Sequence, residues 1–154
     1  MARLHSSRTQ PFTHDSTPMP QIRTISNKEL FSAARDTLLE GKSVRISVRG
    51  ESMLPFFRSG STITLRPIKE GDLRKYNVVM ADAGHAFVVH RIVEVREETV
   101  TLLGDGNLKG TERMTHDKVY GIVDCSPLHL FFAKIWVWMR PLRRFPLTFF
   151  RRVM

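Results

Sequence analysis

A chain of 154 residues supports one domain around one compact core, and 42% hydrophobic content leaves little apolar material for a second. The single cysteine, Cys125, excludes an internal disulfide, and no paired Cys/His spacing argues for a zinc site, so no metal or other cofactor is expected. The formal net charge of +9 predicts attraction to polyanions without separating nucleic acid from an anionic membrane face.

Residues 1–24 are rich in Ser, Thr, Pro and His and lack apolar periodicity, which reads as a flexible leader. They also lack the apolar core of about 7 to 15 residues that a secretory signal needs. Ser26-Asn27-Lys28-Glu29 has capping-box spacing, and Leu30, Phe31, Ala33, Ala34 and Leu38 form a helical stripe that stops at Gly41. The spacing predicts a helix over 27–40. From Ser43 onward, short runs rich in Val, Ile and Thr take over, at 44–48, 62–65, 77–81, 86–95, 99–103 and 119–123. Turn residues separate them, among them Ser59-Gly60-Ser61, Gly71-Asp72, Ala83-Gly84-His85 and Gly104-Asp105-Gly106-Asn107. The expected body, residues 25–127, is therefore a mainly β domain with one N-terminal helix.

The tail, 128–154, mixes Phe131, Phe132, Ile135, Trp136, Trp138, Phe145, Phe149 and Phe150 with Arg140, Arg143, Arg144, Arg151 and Arg152. Rings at headgroup depth and guanidinium groups on lipid phosphates suit that mixture, so the tail reads as an amphipathic anchor on a membrane surface. Its longest apolar run, 128–139, is interrupted by His129 and Lys134 and falls short of the roughly 18 to 20 residues of a spanning helix. Pro141 and Pro146 break the remainder of the tail into short pieces. The competing reading is a core helix with a solvated basic end.

The chemistry concentrates in Val48-Arg49-Gly50-Glu51-Ser52-Met53-Leu54-Pro55. Gly50 permits a tight turn before Ser52, and Pro55 fixes the chain after it, so the turn can present a hydroxyl. A serine hydroxyl needs a nearby base to take its proton as it attacks a carbonyl. His90 is the candidate: in Phe87–Val93, period-2 alternation sets Val88, His90 and Ile92 on one face, and an imidazole on an apolar strand face is kept neutral by burial. His85, His116, His129, His5 and His14 have no such neighbourhood and read as exposed or structural. Taken alone, a serine beside glycine is a turn residue, and a histidine in a strand is a core residue.

Taken in order, Gly50-x-Ser52-Met53-x-Pro55, Gly71-Asp72, Val89-His90-Arg91-Ile92 and Gly104-Asp105-Gly106-Asn107 resemble the boxes of the signal peptidase-like serine peptidases, over residues 44–123. A histidine in the third box is similar to the branch of the endoplasmic reticulum, archaea and some bacteria rather than to the usual bacterial branch, which has lysine there. The resemblance implies Ser52 as nucleophile, His90 as general base, and Asp105 as the acid that orients or stabilises the histidine. Asp105 can alternatively hold the loop through its own side chain, leaving Glu112, the nearest acid downstream of the last box, or no acid beside the histidine. Gly50, Met53 and Pro55 support the turn, the Ser52 N–H is the expected oxyanion donor, and Arg91 is expected to pack or pair. Lys69, Lys75 and Lys109 do not fall on the matching strand and are not expected to act as the base.

The resemblance further implies a fold of coiled β-sheets with a shallow groove, to which an extended peptide or preprotein adds as a strand with small residues before the cut. Such peptidases normally carry an N-terminal membrane segment, and this sequence does not show one. The expectation is a peripheral membrane protein facing the cytoplasm, acting on leader or signal peptides, with nucleic acid not expected as a partner. The alternatives are a non-catalytic basic module binding membrane or nucleic acid, and a self-cleaving regulator of the same fold.

Overall fold

The computed structural model describes residues 27–107 and 110–139. The expected leader, the tail beyond 139 and Lys109 lie outside the described residues. The elements are α1 (Asn27–Leu39), β1 (Val44–Ser47), β2 (Thr62–Pro67), β3 (Val78–Asp82), β4 (Phe87–Val95), β5 (Thr99–Leu103), β6 (Glu112–Thr115), a short 3-10 turn (His116–Lys118), β7 (Val119–Val123) and α2 (Pro127–Trp138). The seven strands form one sheet in the order β1-β2-β7-β3-β4-β5-β6, and every pairing is antiparallel. The expected mainly β architecture is observed.

Position in the sheet explains each strand's sequence. β3, in the interior, reads Val78-Val79-Met80-Ala81 and is buried on both faces, so it has no alternation. β1 and β6 are the edges and bury one residue each, Ile46 and Met114. β6 is the strand that the apolar pattern does not reveal. Its four residues, Glu-Arg-Met-Thr, are polar because an edge strand with solvent beside it needs charge more than apolar surface.

Two apolar clusters lie on the sheet. One joins Ile46, Ile63, Leu65, Val78, Met80, Val89 and Val123 to Ala34 and Leu38 of α1 and to Met53. The other joins Val79, Ala81, Ile92, Val100, Leu102, Met114, Val119 and Ile122. Each fully buried Leu, Ile or Val contributes on the order of 1.5 to 3 kcal/mol, so Met53 in the first cluster ties the segment after β1 firmly to the sheet. α2 packs its Ala133 and Trp136 inward. Ser126 caps it, accepting from the His129 N–H at 3.2 Å, with Pro127 in its first turn.

Candidate active site

β4 carries His90 and Arg91 side by side, and the alternation of a strand sends them to opposite faces. His90 is buried, and its Nδ1 meets Glu112 Oε2 at 2.9 Å. A carboxylate only accepts, so this contact assigns the proton to Nδ1 and leaves Nε2 as the basic nitrogen. The strand pairings account for the meeting: Glu112 on β6 pairs with Leu102 on β5, which pairs with Ile92, on the same face of β4 as His90. Glu112 reaches across β5 to the histidine.

Arg91 holds the other acid. Its Nε and Nη2 donate to the two carboxylate oxygens of Asp105 at 2.7 and 2.6 Å, a bidentate pair closed off from solvent. Its Nη1 donates to the Tyr76 carbonyl at 2.6 Å, and its Nη2 to His129 Nε2 at 3.2 Å. Tyr76 has φ of 82°, a left-handed conformation rare for a bulky residue, and hydrogen bonds on both sides of that residue hold it there. Phe56 lies over the guanidinium at 5.1 Å and meets the rings of His129 and Trp136 at 4.8 and 6.2 Å. The Trp136 indole donates to the Asp105 carbonyl at 2.9 Å.

The expected assignment of Asp105 to His90 is therefore corrected: Asp105 is committed to Arg91, and the acid beside the histidine is Glu112. A charged guanidinium on the other face of β4 competes for Asp105 with two hydrogen bonds, whereas a histidine offers one. His129, expected to be exposed or structural, is half-buried behind this pair. Burial, assisted by the adjacent Arg91 charge, holds its pKa below the ordinary value.

Ser52 stands in the turns between β1 and β2. Gly50 takes φ of 106°, open to glycine and strained for other residues, which lets the chain leave β1 and bring Ser52 round. Met53 is anchored in the core, and the Leu54–Pro55 peptide is cis. The loop after β5 fits against this turn: the Gly106 N–H donates to the Ser52 carbonyl at 2.7 Å. A Cβ on Gly104 would come within 2.5 Å of the Ser52 carbonyl oxygen, and one on Gly106 would strike the Glu51 carbonyl. Both glycines are thus required for close approach, which is the physical meaning of Gly104-Asp105-Gly106. Leu103 pairs with Arg91, so the loop against which Ser52 rests starts beside the His90–Arg91 step.

No hydrogen bond joins Ser52 to His90, and the β4 residues that line the cleft at Ser52 are Phe87 and Val89, on the strand face opposite His90. The Ser52 N–H donates to no protein acceptor among the described residues, so it is free to meet a substrate oxygen. A cleft of 630 Å³ opens at Ser52 between α1, Met53 and Phe57 of the turn, and Phe87 and Val89 of β4. Phe31 of α1 stacks on Phe87 at 6.1 Å along its wall. Arg49 and Lys28 add cations to its rim.

Other nucleophiles and bases fit less well. Burial pushes the Cys125 thiol up to about 11, which keeps it protonated at neutral pH. Lys75 lies against the ring of Tyr76 at 5.3 Å, and Lys69 is exposed. Among the described residues, no group of three or more His, Cys, Asp and Glu is placed to hold a metal ion. The chain matches no protein-family model and no curated protein.

Proposed function

We propose that this protein is a serine endopeptidase of the signal peptidase-like type, cleaving leader or signal peptides with Ser52, His90 and Glu112. The observation that carries the proposal is the Glu112–His90 contact at 2.9 Å, which fixes the tautomer a general base requires. Ser52 Oγ attacks the scissile carbonyl as His90 Nε2 takes its proton. The oxyanion of the tetrahedral intermediate accepts from the Ser52 N–H. The protonated imidazole, stabilised by Glu112, then gives its proton to the leaving amine, and water hydrolyses the acyl-serine by the same relay run again. Asp105 and Arg91 take no part in proton transfer; they hold the loop on which Ser52 rests.

β1 is a sheet edge and runs directly into the Ser52 turn, so an extended peptide can add along it and bring its carbonyl to the hydroxyl. No helix among the described residues is long and apolar enough to cross a membrane, and the proposed place of work is the surface of one.

The test is cleavage of a library of extended peptides at about pH 8 by detergent-solubilised protein, read out by mass spectrometry. Wild type is expected to cut after small residues, and Ser52→Ala and His90→Ala each to lower the rate by at least about 10³-fold. If wild type and both variants are equally silent, the chain is a non-catalytic binding module.

A further inference from the structure

α2 is apolar on both sides. Its inner side buries Ala133 and Trp136 against the Asp105 loop. Its outer side exposes Leu128, Phe131, Phe132, Ile135 and Trp138, the last at 81%. Steps of three and four residues align these five in one stripe along the helix. The other large exposed hydrophobic side chains among the described residues are Leu39 and Val95, each on its own element. Scattered apolar residues are ordinary on a protein surface, whereas a contiguous helical stripe implies that something covers it. The stripe also borders a shallow groove of 510 Å³ shared with Pro55 and Phe56, just beyond the nucleophile in the chain.

The sequence around the stripe selects the occupant. From Ser126 to Met154 the chain carries Lys134, Arg140, Arg143, Arg144, Arg151 and Arg152, and no Asp or Glu. A second copy meeting this face symmetrically would set one cationic segment against another with no acid between them. An anionic bilayer offers acyl chains to the rings and phosphates to the arginines. α2 has 12 residues, about 18 Å at the helical rise, against a hydrocarbon thickness of about 30 Å, so it is too short to cross one.

We propose that the outer face of α2 docks on an anionic lipid surface and holds the Ser52 loop at the headgroup boundary, through the Pro55–Phe56 contact on one side and Trp136 on the other. The proposal rests on the membrane-surface part of the functional reading and not on the peptidase part.

The experiment is vesicle flotation of the full chain. Wild type is expected to float with vesicles of mixed phosphatidylglycerol and phosphatidylcholine, and far less with pure phosphatidylcholine. Replacing Phe131, Phe132 and Trp138 together by serine should lower binding to the anionic vesicles by at least about tenfold, with an unchanged melting temperature because all three are exposed. Arg140→Glu, Arg143→Glu and Arg144→Glu together should remove the preference for anionic lipid. Wild type that stays at the bottom of the gradient, or a triple-serine variant that floats as wild type does, overturns the proposal. So does a wild-type dimer that the serine variant turns into monomer, or wild type that binds RNA in preference to vesicles. Ser52→Ala should float unchanged, so loss of peptide cleavage in that variant tests the chemistry separately from the docking.

Discussion

His90 and Arg91 are neighbours on β4, each holds a carboxylate, and the two pairs are built differently. The Arg91–Asp105 side chains are 0% and 2% exposed, doubly hydrogen-bonded, and packed under Phe56, His129 and Trp136. The His90–Glu112 pair is joined by one contact, and Glu112 keeps 22% of its side chain in solvent. A permanently charged cation in a closed, bidentate pair cannot shuttle a proton. An imidazole held by one acid on one nitrogen can. The same two-residue step of sequence thus separates a closed ion pair from a partly open histidine–acid pair, and on the proposed function it separates scaffold from chemistry, by sending one side chain to each face of the sheet.

The sharpest way to break that comparison is to neutralise one acid without changing its shape. Glu112→Gln keeps a hydrogen-bonding group beside His90 but removes its preference for the productive tautomer, and activity is expected to fall by about 10⁴-fold. Urea unfolding of the same variant should move by no more than about 1 kcal/mol, since a partly exposed pair contributes little to stability. A small kinetic effect would mean that Glu112 only packs against the histidine, and the proposed triad would shrink to a dyad.

Asp105→Ala should show the opposite profile. Removing Asp105 leaves the Arg91 guanidinium buried and uncompensated, which costs about 3 to 5 kcal/mol of stability. The loop that holds Ser52 loosens with it, so activity lost at ordinary temperature should return in part on cooling or with a stabilising osmolyte. Equal effects of Glu112→Gln and Asp105→Ala on stability and rate would erase the division of labour.

Several features of this division can be read in the sequence. The strand run around His90, the turn glycines and the Ser52 turn each arise from local pattern, and six of the seven strands from runs of β-branched residues. The partner of His90 does not. Choosing between Asp105 and Glu112 needs the register of β5 against β6, and β6 is an edge strand whose only buried residue is Met114. The acid nearer in sequence to the glycine box belongs to the arginine. The role of α2 is half visible: its apolar content signals an interface, but the burial of Trp136 against the Asp105 carbonyl depends on a contact thirty-one residues away in sequence.

The smallest expected effect tests the scaffold side through His129. Its Nε2 accepts from the Arg91 guanidinium, a role open only to the neutral ring, and burial and Arg91 together lower its pKa, with Asp105 acting weakly the other way. In the unfolded chain the ring takes a proton at about pH 6.5, and in the folded chain only at lower pH. The unfolded state therefore binds more protons between those two values, so the stability contributed by His129 is complete above about pH 6.5 and is lost as pH falls towards the folded pKa. Asp72, held below the usual carboxylate range by Arg66, loses its contribution only at or below the ordinary carboxylate pKa, so the two windows do not overlap near pH 6. Melting temperatures of wild type and His129→Gln between about pH 7.5 and pH 5.5 isolate this residue from the other histidines, because only the difference between the two curves depends on it. Wild type should fall more steeply with acid than the variant. Parallel curves would mean that folding does not lower the pKa of His129, and that the arginine's hold on Asp105 does not depend on the ring behind it.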